Sequence, residues 1–289
     1  MNVKKYAAID IGSNAMRLLI NNVIEIDGEK HYKKVDIIRV PIRLGSEAFI
    51  KKEISEPTIN KFLSAMRAYA NLMNAHGIEK YRACATSALR DAKNGNDIID
   101  LVQKETGINI EIISGKEEAE IIYSTHKEKL LNDHGSFLFV DVGGGSVEIT
   151  LFENGTTKDS KSFDIGTLRI LNKIIDDRIW EEVKNWVETI TSNKKVYLIG
   201  SGGNINKVFK LSRKPKSEAL SLDYLERYLE GLKNYSFEER VIKLDLNIDR
   251  ADVIIPALII FTSIMNWSKA TQIYVPKIGL ADGLIKMMD

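Results

Sequence analysis

The sequence predicts an α/β protein built from two lobes of similar topology. Three observations lead to this prediction: a length of 289 residues, the order of the predicted strands and helices, and a short motif that occurs twice. At about 150 residues per domain, this length suggests two domains. With 44% hydrophobic residues, 28% charged residues and only 5 prolines, the chain can bury a core, which excludes disordered and fibrous proteins.

The first half of the chain opens with three apolar segments of strand length, at 6–11, 15–26 and 31–43. A helix follows, because apolar residues recur at helical spacing from Ile59 to Met73. The remaining predictions are a strand at 81–85, a helix at 96–105, a strand at 108–113 and a helix from 116 to about 131. The predicted order is therefore βββαβαβα.

The second half begins with the same order. Its predicted elements are strands at 137–141, 147–152 and 158–164, a helix from 167, a strand at 196–199, a helix from 204, further helices to 267, a strand at 272–275 and a helix from about 280. We therefore expect one lobe at 1–124 and a second at 125–289, with the last helix packing back on the first lobe.

A repeated motif supports this duplication. Residues 10–12 and residues 141–143 both have the sequence Asp-x-Gly at the end of an apolar strand, and a tight turn and a second strand follow each of them. The same offset of 131 positions (141 − 10) also pairs Arg17 with Glu148. We expect the two turns to face each other across a cleft between the lobes, where an active site would lie.

The second of these turns indicates phosphate binding. Its members are Gly143, Gly144, Gly145 and Ser146. Successive glycines let backbone N–H groups converge on an anion without obstruction by Cβ atoms, and no helix dipole contributes because a strand follows. One glycine triplet alone is more typical of an ordinary hairpin turn. Two such turns, each after an aspartate at a strand end, favour a phosphate site.

Three carboxylates accompany the two turns: Asp10, Asp141 and Glu148. Each aspartate ends an apolar strand and should lie at the sheet edge beside the cleft, and Glu148 follows on the polar face of the next strand. Hard oxygen ligands beside a polyanion suit Mg²⁺. The alternative is that the aspartates hydrogen-bond to the backbone of their turns, and this alternative is favoured for either aspartate taken alone.

Another helix begins near residues 114–118, where the two halves meet. Acidic residues in a first helical turn are expected from the helix dipole, and this explanation suffices for Glu117. Glu118, at the junction and near bound phosphate, would be suited to act as a general base. The residues alone do not distinguish the two glutamates.

Arg90 lies in the first turn of the helix predicted after the strand at 81–85, with Ser87 as the expected cap. A cation in the first turn opposes the helix dipole. We therefore expect Arg90 to meet an anion, and the alternative is an ion pair with Asp91 or Glu117.

A third glycine turn, Gly-Ser-Gly-Gly-Asn at 200–204, lies between a strand and a helix. It matches a dinucleotide-binding fingerprint only in part. Lys207, Lys210 and Lys214 follow, and they share one helical face if the helix extends so far. A solvated helix face is the ordinary interpretation of such a run, and a track for a polyanion is the alternative.

Composition and absent motifs exclude other classes. The net charge of +1 offers no global attraction for nucleic acid or an anionic membrane. The single cysteine forms no internal disulfide, and neither a signal peptide nor a run of membrane-spanning length occurs, so we expect a cytoplasmic protein. The four histidines lack metal-ligand spacing, which excludes a zinc site, and neither a P-loop nor a nucleophile elbow is present.

Taken together in their order, the motifs resemble the exopolyphosphatase / guanosine pentaphosphate phosphatase (Ppx/GppA) family. The matching stretches are AIDIGSN (8–14), RLL (17–19), ATSALR (85–90), ISGKEEA (113–119), VDVGGGSVE (140–148), GSGG (200–203), ADVIIPA (251–257) and LADG (280–283). They extend from residue 8 to residue 283, over most of the chain. This family belongs to the actin, sugar kinase and Hsp70 superfamily, so the resemblance implies two ribonuclease-H-like (actin-like ATPase) lobes with mixed sheets.

The resemblance also implies hydrolysis of a terminal phosphoanhydride bond, in polyphosphate or guanosine pentaphosphate (pppGpp), by a Mg²⁺-dependent enzyme. The implied catalytic residue is Glu118, the second glutamate of the S-G-x-E-E-A motif. The implied metal ligands are Asp10, Asp141 and Glu148, and the implied phosphate contacts are Ser13, Asn14, Arg17, Arg90 and the turn 143–146. We expect no nucleic-acid or membrane partner, and a homodimer is one expected assembly. The alternative functions are an ATP-dependent small-molecule kinase of the same superfamily and a non-catalytic sensor of polyphosphate or alarmone.

Overall fold

The computed structural model describes residues 2–125, 135–154, 156–215, 217–276 and 279–288. The chain divides into two compact units, Met1–Thr125 with Gly279–Asp289, and His126–Ile278. Each unit contains one mixed β-sheet with helices packed against it. Among the described residues, no helix combines the length and the apolar character needed to cross a membrane.

The first unit contains a five-stranded sheet. Its strands are β1 (Asn2–Ile11), β2 (Met16–Ile26), β3 (Glu29–Val40), β4 (Lys80–Ala85) and β5 (Ile110–Ile112). Its helices are α1 (Gly45–Lys51), α2 (Glu56–His76), α3 (Ser87–Asp91), α4 (Gly95–Thr106), α5 (Gly115–Ser124) and, from the end of the chain, α13 (Leu280–Lys286). The strand order is β3-β2-β1-β4-β5, in which β1 pairs antiparallel with β2 and parallel with β4.

Local sequence signals explain how these elements form. Helix α2 begins with Pro57 in its first turn and ends at Gly77, whose φ of +65° is the left-handed conformation that glycine adopts readily. Helix α13 packs on α5, and this approach requires Gly283, because a Cβ atom there would lie 2.2 Å from the carbonyl oxygen of Ile121. Residues 6–11 of β1 are all buried, as expected for a central strand covered on both faces.

The second unit contains a six-stranded sheet. Its strands are β6 (Ser136–Val142), β7 (Val147–Glu153), β8 (Thr156–Phe163), β9 (Val196–Ser201), β10 (Leu220–Ser221) and β11 (Gln272–Tyr274). Its helices are α6 (Thr167–Leu171), α7 (Asp177–Ile190), α8 (Gly203–Leu211), α9 (Leu222–Lys233), α10 (Phe237–Lys243), α11 (Ile248–Ala251) and α12 (Ile254–Ser268). The strand order is β10-β11-β9-β6-β7-β8.

The two sheets share one topology. In both, the first strand pairs antiparallel with the second and parallel with the fourth, and the third strand pairs with the second. Strand β11 takes the place that β5 has in the first unit, and β10 is an addition at that edge. The predicted duplication of one α/β unit is therefore confirmed.

The structure corrects several local predictions. The third strand ends at Val40 rather than continuing to 43, and the unpredicted helix α1 follows it. The N-cap of α3 is Thr86, so the expected cap at Ser87 is wrong. Helix α8 ends at Leu211, so Lys214 does not share a helical face with Lys207 and Lys210. The end of the helix predicted from 116 to 131, together with His126 and His134, lies outside the described residues.

Candidate active site

The glycine turn of the second unit joins β6 to β7. Its backbone closes through a hydrogen bond of 3.0 Å from the Gly143 N–H to the Ser146 carbonyl. The Gly143 and Gly144 carbonyls accept from the N–H groups of Thr167 and Leu168, at 3.0 and 2.9 Å. Because a trans peptide holds its N–H opposite to its C=O, carbonyls directed at α6 turn the following N–H groups away from α6. The turn can thus present successive N–H groups to an anion.

Two carboxylates flank this turn, each separated from it by one valine. Asp141 on β6 and Glu148 on β7 are register partners, and carboxylate oxygens of the two lie within 4.8 Å of one another. Both residues are buried, with 8% and 1% of their surface exposed. From β8, Ser162 Oγ donates a hydrogen bond of 2.9 Å to Glu148 Oε1. Cross-strand register therefore brings together two carboxylates that are seven positions apart in the sequence.

The third glycine turn lies at the same sheet edge. Ser201 is the register partner of Asp141 across the parallel pair of β6 and β9. Gly202 has a φ of +116°, and a Cβ atom there would lie 2.8 Å from the Val142 carbonyl oxygen. Parallel strands end at a common edge, which is where α/β folds bind their ligands. Both glycine turns and the carboxylate pair of this unit occupy that edge.

The corresponding edge of the first unit holds a different pair. Asp10 on β1 and Arg17 on β2 are register partners, and Arg17 NH1 donates to Asp10 Oδ2 at 2.7 Å. Asp10 is only 5% exposed. Between them, Ser13 Oγ lies 2.9 Å from Ser87 Oγ, and the Asn14 carbonyl accepts from the Arg43 N–H at 3.0 Å. Four of the predicted site residues thus lie in and beside this turn.

Arg90 contacts the backbone that leads into α5. Its NH1 donates a hydrogen bond of 3.0 Å to the Ile113 carbonyl, and its Nε lies 4.0 Å from Asp91 Oδ1. The predicted alternative of an ion pair with Asp91 is therefore present in the structure. The predicted contact of Arg90 with phosphate stays a prediction.

The two adjacent glutamates of α5 have different surroundings. The Glu117 N–H donates to Ser114 Oγ at 3.1 Å, and the Glu118 N–H donates to the Ser114 carbonyl at 2.9 Å. The Glu117 carboxylate lies 3.5 Å from Arg82 NH2 on β4. Adjacent helical residues point about 100° apart, so Glu118 is directed elsewhere. The carboxylate of Glu117 is therefore directed at Arg82, and that of Glu118 faces different surroundings.

Two residues that the sequence did not predict support the second unit's site. Ser162 bonds to Glu148, and Arg169 Nε donates to the Gly145 carbonyl at 2.7 Å. Arg169 could have been identified from the sequence, because it is the one charged residue in the mostly apolar segment 165–171. Ser162 could not have been identified in this way, because β8 is polar along most of its length.

Several known proteins are similar to this chain. "Exopolyphosphatase 1" of Mycobacterium tuberculosis is 24% identical over 203 residues, which cover 68% of this chain and 58% of the relative. "Exopolyphosphatase 2" of the same organism is 33% identical over 184 residues, which cover 61% of this chain and 56% of the relative. The chain thus spans less than two thirds of the length of these relatives. "Putative exopolyphosphatase" of Haemophilus influenzae is 23% identical over 100% of this chain and 92% of the relative.

Solved structures show the fold. A crystal structure described as an exopolyphosphatase from Cytophaga hutchinsonii superposes with a TM-score of 0.84 at 22% identity, covering 99% of this chain and 97% of that chain. The Ppx/GppA family member from Aquifex aeolicus gives a TM-score of 0.77 at 23% identity, covering 99% and 98%. The predicted α/β fold of two lobes with mixed sheets is confirmed. Because the model of the Ppx/GppA phosphatase family matches residues 23–288, this chain belongs to that family.

Proposed function

We propose that this chain hydrolyses the terminal phosphoanhydride bond of inorganic polyphosphate, with a divalent cation bound at Asp141 and Glu148. One observation carries the proposal: two buried carboxylates lie opposite each other beside a glycine turn, in a chain of a phosphatase family. Phosphoryl transfer depends mainly on positioning and on neutralising charge. A glycine turn and an acidic pair supply these two requirements.

The donor set fits a hard cation. Asp141 and Glu148 offer only oxygen ligands, and Mg²⁺ is usually bound by one or two carboxylates together with waters and substrate phosphates. Two buried carboxylates with oxygens within 4.8 Å repel each other, and a cation relieves this repulsion. When bound, Mg²⁺ would neutralise charge on the phosphate chain. Asp10 stays a predicted ligand, and its Oδ2 is engaged by Arg17.

The remaining roles are binding of the substrate phosphates and activation of the attacking water, and we assign them to residues of this chain. We assign the turn N–H groups after Gly143 to the terminal phosphate, and Arg17, Arg90, Ser13 and Asn14 to phosphates of the same substrate. We assign Glu118 to orienting or deprotonating the attacking water. Glu117 is held by Arg82 and has no part in this assignment.

The proposal is tested by measuring the phosphate that the purified protein releases from each candidate substrate. Polyphosphate, pppGpp and ATP are supplied separately, each with Mg²⁺ and each with excess EDTA. Release from polyphosphate that requires the cation is the expected result, and release from pppGpp would extend the substrate class. Transfer of the ATP phosphoryl group to another molecule would support the kinase alternative. Binding of polyphosphate without any release would support the sensor alternative.

A further inference from the structure

Arg169 is a buried cation in the first helix after β8. The residue is only 7% exposed, and its Nε donates to the Gly145 carbonyl at 2.7 Å. Its NH2 lies 3.5 Å from Asp164 Oδ1, whose side chain is 68% exposed. An ion pair with such an exposed partner contributes little, whereas burying a guanidinium is costly. The bond from this buried guanidinium ties it to the backbone of the glycine turn.

The bond to Gly145 is one of three hydrogen bonds to the carbonyls of this turn. The carbonyls of the three turn glycines all accept hydrogen bonds from residues 167–169, and the first two bonds come from backbone N–H groups. Only the third comes from a side chain. Because the Gly145 carbonyl and the Ser146 N–H belong to one planar peptide, holding the carbonyl also orients the Ser146 N–H toward the opposite side.

In the first unit, backbone N–H groups bond to the equivalent carbonyls. Asn14 is 131 positions before Gly145 (145 − 14), and its carbonyl accepts from the backbone N–H of Arg43 at 3.0 Å. The preceding carbonyl, that of Ser13, accepts from the Gly45 N–H at 2.9 Å. The second unit therefore uses the Arg169 side chain where the first unit uses a peptide group.

We propose that Arg169 is a positioning residue for the phosphate-binding turn. It holds the Gly145 carbonyl so that the N–H groups of Gly144, Gly145 and Ser146 converge on a terminal phosphate. The inference rests on the proposed function for the nature of the ligand. It goes beyond that function because it assigns a role to a residue outside the turn and the acidic pair.

Arg169→Lys and Arg169→Met test the proposal, with Arg178→Lys as the matched control, because Arg178 is exposed and pairs only locally with Asp176. The readouts are the dissociation constant of inorganic tripolyphosphate with Mg²⁺, KM and kcat for its hydrolysis, and the melting temperature. We expect both Arg169 variants to weaken binding and raise KM about tenfold with a smaller change in kcat, since the turn binds ground state and transition state alike. The control should match the wild type.

Gly166→Ala tests the same turn independently of Arg169. A Cβ atom at Gly166 would lie 2.4 Å from the Gly144 carbonyl oxygen, so the substitution must displace the turn. We expect the same rise in KM as for the Arg169 variants. The inference is overturned if folded Arg169 variants keep the wild-type dissociation constant and KM, or if only their melting temperature falls. A wild-type chain that binds tripolyphosphate without hydrolysing it contradicts the proposed function alone.

Discussion

The two units place residues of opposite charge beside equivalent aspartates. In the first unit, the strand-end aspartate Asp10 has Arg17 as its register partner, and the two form an ion pair at 2.7 Å. In the second unit, the equivalent aspartate Asp141 has Glu148 as its register partner, and two carboxylates lie together. The first pair balances its own charge within the chain. The second pair places two negative charges side by side, which is the arrangement on which the proposed cation site rests.

The backbone of the two turns differs much less than these side chains. A Cβ atom at Gly12 would lie 3.1 Å from the Ala15 carbonyl oxygen, and one at Gly143 would lie 3.1 Å from the Ser146 carbonyl oxygen. Both turns also have carbonyls held by the segment that follows the third strand. The duplicated fold thus preserves the turn, and the two units differ in the register pair beside it.

The largest effect is expected from removing the acidic pair. Asp141→Asn and Glu148→Arg should each abolish phosphate release, by about 10³-fold or more, because each removes a ligand charge. Glu148→Arg also gives the second unit the aspartate–arginine pair of the first. The measurement is phosphate release from polyphosphate with Mg²⁺, with circular dichroism to verify folding. Excess EDTA should abolish wild-type activity to the same extent.

Asp159→Asn is the control for this experiment, because Asp159 is an exposed residue of β8 whose Oδ1 accepts a hydrogen bond from the neighbouring Ser160 N–H. Its activity should equal that of the wild type. Full release of phosphate by the wild type in excess EDTA would sink the proposed cation at this pair.

The sequence was sufficient for the order of most strands and helices along the chain and for the duplicated turns, because apolar periodicity and the repeated Asp-x-Gly motif are local signals. It was not sufficient for the contrast between the two acidic positions. The offset of 131 pairs Arg17 with Glu148, but only antiparallel register shows that each faces its aspartate. Long-range contacts such as that of Arg169 with Gly145, 24 positions apart, likewise have no periodic signature.

The next largest effect concerns the glutamates of α5. If Glu118 orients or deprotonates the attacking water, Glu118→Gln should lower kcat by about 10²-fold or more and leave binding of polyphosphate similar or tighter, because a negative charge is removed beside a polyanion. Glu117→Gln should change kcat far less, since Glu117 pairs with Arg82. Assays at saturating substrate compare the two variants directly. Equal kcat for Glu118→Gln and the wild type would remove the assigned base.

A smaller effect is expected from the ion pair of the first unit. Arg17→Gln should raise KM about tenfold, because the proposed phosphate contact and the partner of Asp10 are lost together. Arg67→Gln, which loses a surface pair with Glu105, is the control and should keep the wild-type KM. Cys84 reports folding, since burial raises its pKa to about 12 and keeps the thiol protonated and unreactive toward Ellman's reagent at pH 8. An unchanged KM with Cys84 still protected would exclude Arg17 from binding.

The smallest effect is a change in stability that depends on the cation. Binding of Mg²⁺ to the folded acidic pair should stabilise the wild type by about 2.7 kcal/mol at a hundredfold excess over its dissociation constant. Glu148→Gln should lose most of this gain, and without the cation it should unfold no more easily than the wild type, because one of two close carboxylates is neutralised.

All three tryptophans pack against the core of the second unit, so urea unfolding followed by tryptophan fluorescence reports on the unit that holds the pair. The matched comparison is K⁺ at equal ionic strength, which should stabilise neither protein specifically. An equal gain from Mg²⁺ in the wild type and in Glu148→Gln would show that the cation binds elsewhere, and the contrast between the two register pairs would then have no chemical consequence.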